Sequence, residues 1–302
     1  MTTDCKDMMS FEECIFTMNP KEYADVPVNQ YGMTDFSKDG RSPWLVRYKV
    51  SNEKFGVLAG KSLNPLIFRG ENKEYEYFLP SAKRGSYTES DHIKKEKFLS
   101  VYKETPYYKY GMSYTDNFGY HMEIDLEAVA QHYGFKTNYL DVTRSRDVAE
   151  FFAYTYYDKG EYHPIIDFTK YTPCIYTADL HDIYKQRPNS LKLISGQIAL
   201  RPCVQFAMAV DIEDDFDCKK LFQKEMLPKD PIRAKNIYDS LHKDLFSKQD
   251  VLNKIANEIL MKDENMNIKF AKDFDDKIEG EIQNFFKPLL EKIGYRGCAK
   301  VR

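Results

Sequence analysis

Along this chain apolar positions recur at helical spacing in some stretches and crowd or alternate in others, and that contrast divides the sequence into elements. Over 90–102, Ile93, Phe98, Leu99 and Tyr102 stand among lysines and glutamates, which predicts a surface helix with one buried stripe. A second helix is expected over 124–133, where Ile124, Leu126, Val129 and Ala130 are apolar and Gly134 supplies the stop. A third is predicted over 147–157, capped by Ser145 or Asp147, whose side-chain oxygens can accept from the first free amides. The run Pro65-Leu66-Ile67-Phe68-Arg69-Gly70 reads as a short buried strand ended by glycine. Residues 173–180 and 194–210 read as β material broken at Pro202, and 44–50 fits either a helix or a strand. Past residue 216 the pattern becomes charged helix over 231–246, 249–261 and 274–293. The expectation is a mixed α/β (α+β) core at 60–215, preceded by an N-terminal extension over 1–59 and followed by a helical C-terminal region over 216–302.

Composition narrows the partners more than the fold. At 302 residues the chain can bury a substantial core without metal or disulfides. Its formal net charge of −3 gives no extended basic field to hold a nucleic-acid backbone, and no basic-aromatic stripe supports a nuclease or nucleic-acid binder. The six cysteines lie far apart without a CxxC pair, and the six histidines are equally scattered, so free thiols, no metal site and a reducing cytoplasmic setting are expected. The N-terminus starts polar and acidic, and no apolar run approaches the roughly 18 residues of a membrane span, so no membrane association is expected.

Three polar stretches carry the candidate chemistry. In Phe68-Arg69-Gly70-Glu71 a planar guanidinium stands at a strand end, able to fork onto phosphate or carboxylate, and Gly70 leaves room for a ligand to approach the backbone. The same arginine equally suits a structural ion pair. Gln131-His132-Tyr133-Gly134 gathers an amide, an imidazole and a phenol at a helix end, and Leu140-Asp141-Val142-Thr143-Arg144-Ser145 follows the next loop. His132 can donate, accept or carry a proton near neutral pH, whereas His132 and Asp141 can also be satisfied core residues that pin the loop. The third stretch runs from Ile194 to Phe206 and carries Gln197 and Gln205, which as lone residues suit hydrogen bonding at a strand edge.

Taken together, these stretches resemble the FRG domain. The arginine motif is followed by Leu79-Pro80-Ser81-Ala82-Lys83-Arg84, then by Gln131 to Gly134 and Thr137 to Thr143, then by a helix ending Phe152-Ala153, in the family's order over about 60–210. Lys136 stands where the family has proline, Asn138 where it has arginine, Val142 where it has tryptophan, and Ala207 where a glycine follows Arg201 and Gln205.

The order of an arginine, a hydroxyl pair and a polar residue on a later strand is in turn similar to the layout of ADP-ribosyltransferases. This likeness implies ADP-ribosyltransferase-like sheet halves and a nucleotide-type ligand, with NAD as a substrate. It casts His132, Gln205 and Gln197 as catalytic candidates, the two glutamines standing where those enzymes carry a glutamate. Arg69, Gly70, Gln131, Tyr133, Thr137, Asp141, Thr143 and Ser145 become ligand-binding candidates. Negative charge for a cation-like ribosyl transition state would come from Glu71, Asp141 or another acid, or else the domain binds without turnover as a regulatory module. A protein or nucleic-acid acceptor stays open.

Overall fold

The computed structural model describes residues 66–115, 121–158, 160–187, 190–194, 198–212, 217–247, 250–261 and 270–287, and the strands at 34–35, 44–49, 54–60 and 296–297. The strands in chain order are β1 (Thr34–Asp35), β2 (Trp44–Lys49), β3 (Lys54–Gly60), β4 (Leu66–Glu71), β5 (Tyr114–Thr115), β6 (His121–Met122) and β7 (Tyr139–Thr143). They continue as β8 (Thr155–Asp158), β9 (Glu161–Pro164), β10 (Cys174–Asp179), β11 (Leu191–Leu193), β12 (Ala207–Asp211), β13 (Gln223–Met226) and β14 (Arg296–Gly297). The helices are α1 (Glu89–Glu104), α2 (Pro106–Ser113), α3 (Leu126–His132), α4 (Arg146–Ala153), α5 (Leu180–Gln186), α6 (Leu200–Val204), α7 (Pro231–Leu245), α8 (Val251–Met261) and α9 (Phe270–Glu281).

This is the mixed α+β class that the alternating patterns predict. One sheet has the order β1-β2-β3-β6-β5-β14, and the other β11-β12-β7-β4-β10-β13. The second sheet is antiparallel throughout, and β4 lies at its centre. On one side β4 pairs with β10 over its whole length, Leu66 to Glu71. On the other it meets β7 at one register position, Phe68 opposite Thr143, so the two strands splay beyond that point.

Helix α1 starts on a capping box: Asp91 N–H donates to Thr88 Oγ1 at 3.2 Å and Thr88 N–H to Asp91 Oδ2 at 2.9 Å, a device worth about 1 kcal/mol. Its buried stripe, Phe98, Leu99 and Tyr102, packs on Tyr133 and Phe135 and on Val251, Leu252, Ile255 and Ile259 of α8. The C-terminal helices are therefore part of the main core.

Several expectations change on contact with the structure. The helix foreseen over 147–157 ends at Ala153, and 155–158 form β8, because Thr155, Tyr156 and Tyr157 gain cross-strand partners in β9. Tyr157 and Tyr162 face each other there with ring centroids 5.0 Å apart. The β material foreseen over 194–210 is interrupted by α6, with Pro202 inside its first turns, where a missing amide costs nothing. Within the stretch 44–50, readable either way, Trp44–Lys49 form β2, and the expected N-terminal extension contributes β1 to β3, with β3 running parallel to β6. Beyond residue 215 the chain adds β13 to the site-bearing sheet, alongside β10.

Gly70 takes its meaning from packing. A Cβ built there would lie 1.7 Å from the Ala149 carbonyl oxygen and 2.9 Å from Ala153 N, so α4 can sit this close to β4 only over a glycine. The missing side chain makes room for a helix, while the Gly70 backbone also lines the cleft described below. Replacing Gly70 by Ala is expected to destabilise the protein by about 4 kcal/mol or to prevent folding, since a backbone oxygen cannot step aside. Chemical denaturation of the variant checks this, and a change within 1 kcal/mol (roughly the surface-site range) would contradict it.

Candidate functional site

The splay between β4 and β7 opens into a cleft of about 740 Å³. Arg69 on β4, Asp141 on β7, Gln131 and His132 at the end of α3, and Gln205 after α6 all reach it, with Gly70, Tyr133 and Thr143 also on its wall. Four separate parts of the chain thus meet at one hollow.

Helix α3 delivers its pair of polar residues through its two ends. Asp125 caps the start, accepting from Ala128 N–H at 2.9 Å, and Gly134, at φ +90°, turns the chain away so that Gly134 N–H reaches Gln131 O at 3.0 Å. The helix therefore stops with Gln131 and His132 in its last turn, facing β7.

Arg69 bridges the splayed strands. Its Nε donates to Glu71 Oε1 at 2.9 Å and its Nη1 to the Asp141 carbonyl at 2.8 Å, with the guanidinium 5.4 Å over the Phe78 ring. The structural ion pair and the cleft position thus coexist. Glu71 Oε2 is buried without a hydrogen-bond partner. Arg84, exposed at the mouth, joins the same wall through Nε to Leu79 O at 2.6 Å. Burial of part of its head group, and then the nearby Arg69 charge, hold its pKa below the ordinary arginine value. Two guanidiniums close enough to repel make a place where an anion is welcome.

On β7, Asp141 alone is exposed between buried neighbours, so its carboxylate stands in the cleft. Gln131 orients it: Thr137 Oγ1 donates to Gln131 Oε1, and Gln131 Nε2 donates to Asp141 Oδ1. Thr137 is in turn clamped by Ser81, whose Oγ accepts from Thr137 N–H at 2.9 Å, while Ala82 N–H donates to Thr137 O at 3.0 Å. Thr137 does not itself line the cleft; it fixes Gln131 from behind.

His132 is held from both sides. Gln205 Oε1, an acceptor, takes the Nδ1 proton at 3.1 Å, so the neutral ring carries its lone pair on Nε2. That atom has no hydrogen-bond partner and lies 3.9 Å from Asp141 Oδ1, the His132 side chain being 5% exposed and that of Asp141 56%. Burial pushes the imidazole pKa below its ordinary value, against the pull of Asp141. The Arg201 Nη1 donates to His132 O at 2.9 Å and fixes the backbone beneath.

The hydroxyl pair has other work. Thr143 Oγ1 donates to Gln205 O at 2.8 Å and accepts from Ser145 N–H at 3.0 Å, and Ser145 Oγ caps α4 by accepting from Val148 N–H at 3.4 Å. Ser145 does not line the cleft, and Gln197 lies outside the described residues. Asn138 is exposed away from the cleft. Next to Gln205 the backbone turns left-handed at Phe206, φ +49°, an unusual state for a bulky residue, whereas Ala207 is ordinary strand. Among the described residues no group of His, Cys, Asp and Glu is placed to hold a metal ion, and no helix is long and apolar enough to cross a membrane.

Arg201, noted in the sequence beside Gln205 as part of the family's closing pattern, lines the cleft, whereas sequence reasoning missed Asn253, Asn257 and the aromatic residues Tyr162, His242 and Phe246 on the same wall. Their spacing matches ordinary core and solvated helix positions, so a single sequence carries no signal for them.

Fold and site together define a mixed α+β protein whose polar cleft opens at the split of an antiparallel sheet. The family model described as FRG domain matches residues 64–161, and this stretch, which holds Arg69, His132, Asp141 and Thr143, is an FRG domain. No curated protein and no solved structure matches it.

Because the folded state holds His132 with a depressed pKa, the unfolded chain binds its proton more readily between that value and about 6.5. Stability is expected to fall as pH drops from 7 through this window, and His132→Gln is expected to remove that fall. Urea denaturation at stepped pH, wild type against variant, measures the difference. Equal slopes in the two proteins would contradict it.

Proposed function

We propose that the cleft binds a nucleotide-type ligand, with NAD the first candidate, and acts on it in the manner of an ADP-ribosyltransferase or glycohydrolase. The observation that carries this reading is the meeting of Arg69, His132, Asp141 and Gln205, from four separate elements or turns, around one hollow. The paired cations Arg69 and Arg84, both on the cleft wall, suit a diphosphate. Departure of nicotinamide leaves positive charge on the ribose, and a fixed carboxylate lowers the energy of that state. Asp141, oriented by Gln131, suits this role better than Gln205, whose amide is uncharged and committed to His132. The Nε2 lone pair of neutral His132 suits removal of a proton from the attacking hydroxyl, whether of water or of an acceptor. In this scheme Gln205 is a positioning residue.

A second reading has an observation of its own. The hydroxyls of Thr143 and Ser145 and the Gln205 amide all serve internal hydrogen bonds, which suits a domain that recognises a ligand without altering it.

Incubation with NAD separates the two readings. The enzyme reading expects nicotinamide release that Asp141→Asn lowers about a hundredfold while NAD binding persists, and Arg84→Ala is expected to weaken binding about tenfold. Calorimetry for binding and chromatography for nicotinamide give the two readouts. Binding without release leaves the recognition module, and absence of any binding removes the nucleotide reading altogether.

A further inference from the structure

Helix α8 presents three faces, and only two are accounted for by folding. Val251, Leu252, Ile255, Ala256 and Ile259 enter the main core, while Lys254 and Met261 face solvent. Between these faces Asn253, Asn257 and Leu260, spaced four and three residues apart, form a third stripe that lines the cleft. Both asparagines are half-buried, and neither side-chain amide has a hydrogen-bond partner among the described residues. Each amide offers a donor and an acceptor side by side, at a place where water has limited access.

The neighbouring wall is flat and aromatic. The Arg201 guanidinium lies 5.0 Å from the Tyr133 centroid and 5.2 Å from that of Phe246, and the Tyr162 and Phe246 ring centroids are 4.6 Å apart. Arg201 is also 4.0 Å from Asp250, which accepts from Asn253 N–H at 3.3 Å, so the start of α8 is tied to this row of planar groups. Amide edges beside a row of planar groups match a nucleobase, which needs its face covered and its alternating edge read.

We infer that Asn253 and Asn257, with Phe246 and Tyr162 beside them, form a ring-binding subsite that takes the nucleobase or carboxamide-bearing ring of the ligand. The inference rests on the nucleotide reading above and adds where the ring lies and what selects it. Phosphate is held at the β4 side by Arg69 and Arg84, and the ring is held at the α8 side, beyond the stretch matched by the family model.

The test compares AMP, nicotinamide mononucleotide and ribose 5-phosphate by calorimetry on the full chain, with thermal melts to verify folding of each variant. Wild type is expected to bind at least one mononucleotide about tenfold or more tightly than ribose 5-phosphate, and the preferred one identifies the ring. In the double variant Asn253→Ala, Asn257→Ala that preference is expected to vanish while ribose 5-phosphate binding stays the same. Arg84→Ala is expected to weaken all three ligands alike. A folded double variant that keeps the preference, or a wild type that binds all three equally, overturns the subsite and leaves the phosphate reading standing. A wild type that binds none of the three overturns both.

Discussion

Strands β4 and β7 touch at a single register pair, Phe68 opposite Thr143, and the arginine that follows Phe68 spans the gap beyond. Everything chemical in this protein depends on that seam. Full pairing would bring the Asp141 carbonyl into a ladder and close the hollow; complete separation would break the sheet in two. The Arg69 guanidinium stabilises the intermediate state, using one nitrogen for the Asp141 carbonyl and another for Glu71. A planar, permanently charged fork with several fixed donors can do this, and a lysine ammonium cannot do it with the same geometry.

The buried charges around the seam come in opposed pairs. Arg69 faces Glu71, and Arg201 faces Asp250, whose carboxyl pKa is pushed up by burial. Such pairs add little net stability, because desolvation offsets most of the attraction, yet removing one partner strands the other. They fix where chain segments lie. Here they lock β4 and the start of α8, the two ends of the cleft, in register with the turn that carries His132.

How much of this was legible in the sequence follows from which forces are local. The helices over 89–104 and 231–245 could be read because their apolar stripes and caps are short-range signals. Gly134 as a helix stop is equally local. Residues 155–157 were misassigned because their strand state comes from a partner hairpin arm, which periodicity does not encode. Gly70 drew attention for a sound reason, an unusually close approach, and the group that approaches its Cβ position is the Ala149 carbonyl, a partner that a single sequence does not reveal. The left-handed residue beside Gln205 is Phe206, a type that gives no hint of such a backbone. Asn253 and Asn257 escaped notice because an amide on a helix looks the same whether it borders bulk water or a cleft.

The wall of the hollow draws on elements from β4 to α8, so any piece able to keep it intact spans at least 66–261. Excising 64–161 alone would strip β4 of β10 and β7 of β12, leave His132 without the amide that sets its tautomer, and bare the apolar side of α1. The recognisable domain and the working unit are thus different lengths of chain, and a truncation designed on the former would isolate half a vessel.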